Sequence, residues 1–221
     1  MRPISARARV SVLIPLYFTL LLWAVELLEW AVQGRWEQYG IMPREVRGLI
    51  GVLLAPFLHD NFSHLISNSI PLVLLGAALI YFYGDLAYRV VLITWVIDGL
   101  GVWLMGRPSY HIGASGLVYG MTSFVFFSGL LRKNRSLLSL SLAVVFVYGG
   151  LVWGMLPYLT HLSWEGHLMG FLCGIVLAVL FRNMGPGDDP LPQWMHDEDD
   201  WPQMPEPSSS QTDVSDQTKP G

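Results

Sequence analysis

In His111-Ile-Gly-Ala-Ser-Gly-Leu-Val-Tyr-Gly120 a serine stands among small residues where a loop gives way to an apolar run. Two roles are open to Ser115. It serves as a helix cap, the common use of serine at a helix start, or its hydroxyl is an acyl-transfer nucleophile. The second role suits the place, because the unpaired N–H groups of a helix's first turn bind the oxyanion that attack creates. The Gly-x-Ser-x-Gly elbow of soluble hydrolases is not matched. Two other stretches carry groups for the same chemistry. His64 and Asn68, in His59-Asp-Asn-Phe-Ser-His-Leu-Ile-Ser-Asn68, are four apart and share a helical face. His167 lies at the start of the apolar run in Trp164-Glu-Gly-His-Leu-Met-Gly-Phe-Leu-Cys-Gly174. A hydroxyl, an imidazole, and an imidazole with a carboxamide thus stand at three run starts.

The elements that must position them are membrane helices. The 221 residues are 52% hydrophobic and 14% charged, with the apolar residues in long blocks, a membrane composition. Six spans are expected, at about Val10 to Val32, Leu65 to Tyr83, Tyr88 to Met105, Ser115 to Leu131, Leu137 to Leu156 and His167 to Phe181. The first run is too long for a signal peptide and no small-residue cleavage site follows it, so it reads as an uncleaved helix. The arginines before it, Arg89 and the Arg132-Lys133-Asn134-Arg135 cluster fall on one side of six alternating spans, which the positive-inside rule makes cytoplasmic. The starts of spans two, four and six then share the outer side. Residues 1–9 form a cytoplasmic lead, 10–185 the membrane domain, and 186–221 an acidic segment too polar to repay its ordering entropy, hence a disordered cytoplasmic tail. The tail holds nine acidic residues and one lysine, so the net charge of −4 belongs to it. Cutting it off after about Arg182 is expected to leave the site intact.

Small residues show how the groups could meet. Gly166, Gly170 and Gly174 recur every four residues on span six, and Gly116 and Gly120 on span four. Such stripes let transmembrane backbones approach closely, which would bring Ser115 to His167. Tyr119, one turn beyond Ser115, is placed to stack on the imidazole. Asp98 within span three needs a partner or water, as a structural hydrogen bond or a proton relay. Glu26 and Glu29 read as interfacial. The lone cysteine, Cys173, reads as packing. His59, His111 and His161 lie on the outer side with the other histidines, but no His-Glu-x-x-His or cysteine pair accompanies them. No metal or other cofactor is expected.

His64-x-x-x-Asn68, Gly113-Ala-Ser115-Gly with Tyr119, and Gly166-His167-x-x-Gly170-x-x-x-Gly174, in this order, resemble the rhomboid family of intramembrane serine proteases over roughly residues 50 to 182. The resemblance implies an all-α six-helix bundle, a Ser115–His167 dyad without a third acid, and cleavage of membrane-anchored proteins within or beside their transmembrane segment. It implies oxyanion binding by His64 and Asn68 with the Ser115 backbone N–H, Gly113 among the stabilising residues, and support of the dyad by Tyr119, Gly116, Gly120, Gly170 and Gly174. The expected partners are transmembrane substrates and the bilayer, with no nucleic acid, in a bacterial plasma membrane. The first outer loop departs from the pattern: many members carry a Trp-Arg pair where this chain has Arg44-Glu-Val-Arg47. Two other classes stay open. A catalytically inactive relative that escorts transmembrane clients would share the fold, although such proteins usually lose the serine or histidine. A transporter would carry inverted repeats and mid-membrane ionisable residues.

Overall fold

The computed structural model describes residues 6–157 and 163–186. His161 and nearly all of the acidic segment lie outside the described residues. The chain begins with the long helix α1 (Ala6–Ala31). A looped segment of 3-10 turns and the short α2 (Ile50–Leu54) follows it. Then come α3 (Phe62–Tyr83), α4 (Asp85–Met105), α5 (Ser115–Leu131) and α6 (Arg135–Tyr148), which a 3-10 stretch, Gly149–Met155, extends. The last helix is α7 (Trp164–Leu180). Among the described residues no strand forms; one isolated antiparallel bridge pairs Ile41 with His111.

Helices α1, α3, α4 and the stretch Arg135–Met155 are each long and apolar enough to cross a membrane. The apolar helices α5 and α7 have 17 residues each, about 25 Å at the helical rise. Every residue of α5 from Gly116 to Met121 is buried, the mark of a helix apolar all round at the centre of a bundle. It contacts α3, α4, α6 and α7, and the core gathers Leu65, Leu75, Val90, Val118, Phe124 and Leu177 around it.

The helices start earlier than hydropathy alone suggests. Asn61 caps α3 by accepting the His64 N–H at 2.9 Å, and α7 begins three residues before His167. Caps and polar first turns carry no apolar signal, which is why the runs understate them. Helix α1 packs on α3 through an inward stripe of Ser11, Pro15, Thr19, Leu22 and Glu26. Glu26 is thereby buried against the bundle, while Glu29 Oε1 accepts the Trp36 N–H at 2.6 Å.

Two arginines close helix ends. Arg44, in the left-handed region at φ 62°, donates to the Gly106 carbonyl beyond the end of α4 at 2.9 Å. Trp103 Nε1–H returns a bond to the Glu45 carbonyl at 2.8 Å, so the loop lacking the Trp-Arg pair is fastened to α4 instead. Arg132, 8% exposed, donates to Ser128 Oγ (2.9 Å) and to the carbonyls of Phe181 (2.6 Å), Met184 and Pro186 (3.0 Å). It ties the end of α5 to the end of α7 and satisfies carbonyls that a helix terminus leaves open. Arg132 thereby reaches carbonyls of Met184 and Pro186, which lie beyond Arg182.

Candidate active site

Ser115 is the first residue of α5, and the N-cap position is Ala114, which makes no side-chain cap. Its hydroxyl is therefore not a helix cap. Ser115 Oγ lies 2.9 Å from His167 Nε2. The helix-start position leaves the Ser115 N–H without an intrahelical acceptor.

Close packing of α5 on α7 sets that distance. A Cβ on Gly170 would overlap the Gly116 carbonyl, and one on Gly174 would overlap Ser123 Oγ and the Gly120 carbonyl. Ser123 uses the proximity, donating to the Phe171 carbonyl at 2.8 Å. Gly166, expected on the same stripe, faces elsewhere: its nearest neighbours are Ser163 Oγ at 3.3 Å and Val102 Cγ2 at 3.6 Å. Gly116 and Gly120 also make room for α4, since Cβ atoms there would overlap Asp98 and Thr94.

The imidazole is held on two sides. Tyr119 stacks on His167 with ring centroids 4.3 Å apart and planes 8° from parallel. Tyr119 Oη donates to the Leu151 carbonyl at 2.8 Å. On the other edge, His167 Nδ1 lies 2.8 Å from the Gly154 carbonyl. A carbonyl only accepts, so Nδ1 carries the proton and the Nε2 lone pair faces the serine hydroxyl. The 3-10 stretch Gly149–Met155 thus contributes the acceptor that an aspartate supplies in soluble serine hydrolases. Sequence reasoning missed it because the group is a backbone carbonyl, which any residue type provides.

His64 and Asn68 lie against the backbone of Gly113, two residues before Ser115. A Cβ on Gly113 would come within 2.6 Å of His64 Cε1 and 3.7 Å of Asn68 Nδ2. Gly113 also holds φ 105°, a region that side chains disfavour. Its N–H donates to the Ala55 carbonyl at 2.8 Å, so Gly113 offers space rather than an oxyanion donor. Asn68 is 4% exposed, and among the described residues its Nδ2 has no hydrogen-bond partner. Leaving a buried donor unmade costs about 1–3 kcal/mol, and this one lies near Gly113, two residues before Ser115. His59 packs edge-on to His64 with ring centroids 5.0 Å apart. Burial, with the His64 charge second, pulls the His59 imidazole down to about 3, so it is neutral beside its neighbour.

Ser115, His167 and His64 line one cleft of about 560 Å³, with Asp60, Ser67, His111 and Ser163 among its other walls. Behind Ser115 a cavity of about 30 Å³ touches Asp98, His111 and Ser163, room for about two waters. Asp98 Oδ1 is buried and unpartnered among the described residues, while its other oxygen packs against Gly116.

Residues 46–184 match the Rhomboid domain family. An uncharacterized protein of Mycobacterium tuberculosis is 39% identical over 174 residues, 75% of this chain and 72% of the relative. One from Mycobacterium leprae is 34% identical over 175 residues, 75% and 69%. A Bacillus subtilis protein provisionally named a rhomboid protease is 28% identical over 134 residues, 55% and 66%. With its apolar spanning helices, this chain is an integral membrane protein that belongs to the rhomboid family.

Proposed function

We propose that this chain is an intramembrane serine protease that hydrolyses peptide bonds of membrane-anchored proteins within or next to their transmembrane segment. The observation that carries the reading is the 2.9 Å contact of Ser115 Oγ with His167 Nε2, made while Nδ1 is held by the Gly154 carbonyl. Ser115 attacks the scissile carbonyl as His167 Nε2 takes its proton, and the imidazolium gives that proton to the leaving amine. Water then attacks the acyl-enzyme by the reverse sequence. The developing imidazolium is stabilised by the Gly154 carbonyl and the Tyr119 ring face, so no carboxylate is required. The oxyanion is received by the Asn68 carboxamide, the His64 ring N–H and the Ser115 backbone N–H.

Read as six spans, with the shorter α5 and α7 counted, the chain has both ends on one side; the arginines beside the spans make that side the cytoplasm of a bacterial plasma membrane, and the cleft then opens outward. Residues 10–185 form the catalytic membrane domain, followed by the acidic cytoplasmic tail. The test is cleavage of a purified transmembrane reporter, with helix-weakening residues beside the cut, in proteoliposomes. Wild type is expected to release the product at a fixed position and Ser115→Ala to release none. Equal cleavage by both proteins contradicts the reading.

A further inference from the structure

A second serine–histidine contact lies beside the dyad in the same register. His111 Nδ1 is 2.7 Å from Ser163 Oγ. His111 stands four residues before Ser115, and Ser163 four residues before His167. Two cross-links of nearly equal length therefore join the segment entering α5 to the segment entering α7.

Both members of the outer pair are held firmly. His111 is 3% exposed and is fixed by its backbone, which exchanges hydrogen bonds with Ile41 at 2.9 and 3.0 Å. Its Nε2 lies 3.1 Å from the Arg107 carbonyl. That nitrogen therefore carries the proton, and Nδ1 accepts from the Ser163 hydroxyl. Burial, its largest influence, holds the His111 imidazole below the ordinary histidine value and keeps this tautomer neutral. Ser163 occupies the N-cap position of α7 but makes no cap with its side chain. A serine there ordinarily bonds an amide of the first turn, a contribution of about 1 kcal/mol; this hydroxyl turns to His111 instead. The Ser163 carbonyl in turn accepts the His167 N–H at 3.2 Å.

The pair has the composition of a dyad without its surroundings. Its histidine is locked between Arg107 and Ser163, and among the described residues no unpartnered buried side-chain amide other than Asn68 Nδ2 is found. The glycine contacts set the separation of α5 and α7 further along the helices, and the outer bond adds a second fixed point between the segments that lead into them. A displacement of about 1 Å in a catalytic group lowers rate by roughly a hundredfold. We infer that His111 and Ser163 are positioning residues that hold the relative angle of the two dyad-bearing helix starts. The inference rests on the dyad reading above.

The experiment compares wild type, Ser163→Ala, Ser163→Thr, His111→Phe and the His111→Phe/Ser163→Ala double variant in proteoliposomes. It measures kcat and KM on the transmembrane reporter, the melting temperature, and the residue modified by a fluorophosphonate. Ser163→Ala is expected to lower kcat about tenfold, with KM unchanged and the protein still folded by its melting transition. Ser163→Thr, which keeps the hydroxyl, returns kcat to within about threefold of wild type. The double variant is no slower than its slower parent, because both changes break one contact. Three results overturn the inference while leaving the dyad standing: wild-type kcat in Ser163→Ala, a Thr variant as slow as Ala, or losses that multiply in the double variant. Fluorophosphonate found on Ser163 of wild type overturns it too, since the pair would then be reactive in its own right. A wild type that neither cleaves nor labels overturns the dyad reading and this inference together.

Discussion

Replacing Gly154 by alanine removes no functional group, yet the structure assigns it a large effect on rate. A Cβ at this position would overlap the Tyr119 hydroxyl and lie 3.2 Å from His167 Nδ1. To accommodate it, either Tyr119 gives up the Leu151 carbonyl or the 3-10 stretch withdraws, taking the Gly154 carbonyl from Nδ1. In the transition state that carbonyl faces an imidazolium. A hydrogen bond to a charged group is worth about 1.5–3 kcal/mol, which converts at 1.36 kcal/mol per decade to a kcat loss of roughly 10- to 150-fold. Gly150 supplies the control: it lies on the same stretch, and among the described residues a Cβ there meets nothing within 4 Å. Initial rates on the transmembrane reporter, with melting temperatures, give the comparison. Gly154→Ala is expected to be slow and folded, and Gly150→Ala to match wild type. A folded Gly154→Ala within threefold of wild type refutes the claim that this carbonyl orients the base, and equal losses in both variants point to the backbone of the stretch instead.

Three further outcomes follow from the same geometry. His64→Ala and Asn68→Ala each remove one oxyanion donor, for which about 2.7–4 kcal/mol of barrier, a kcat loss of 10²–10³-fold, is expected; fluorophosphonate labelling slowed without loss of folding checks it. Gly174→Ala drives a methyl toward Ser123 Oγ and the Gly120 carbonyl, so overpacking by about 1–3 kcal/mol should lower the melting temperature by several degrees. Truncation after Pro186 should leave stability and labelling unchanged. Truncation after Arg182 removes two carbonyl partners of Arg132 and should cost about 1.5–3 kcal/mol in a thermal or denaturant melt.

The parts of the site legible in the sequence are those whose chemistry and spacing are local. His64 and Asn68 announce themselves by a four-residue step, and the α5–α7 approach by glycines at Gly116, Gly120, Gly170 and Gly174. Ser115 and His167 follow because polar groups at the starts of apolar runs are conspicuous in a chain this hydrophobic. What stayed hidden depends on backbone atoms or on long-range register. The Gly154 carbonyl has no side-chain signature. The His111–Ser163 contact spans 52 residues and is visible only once α5 and α7 are placed. Arg132 reads as one more loop cation until the carbonyls around it are seen, and Gly113 reads as an oxyanion group until Ala55 is seen to occupy its amide.

The most direct measurement is fluorophosphonate labelling of the purified full chain in detergent, comparing wild type with Ser115→Ala and His167→Ala. The probe reports the nucleophile without requiring a client. An activated Ser115–His167 dyad predicts that wild type labels at Ser115 by peptide mapping and that neither folded variant does. A folded wild type that resists the probe, or a Ser115→Ala protein that labels as fast as wild type, contradicts the account.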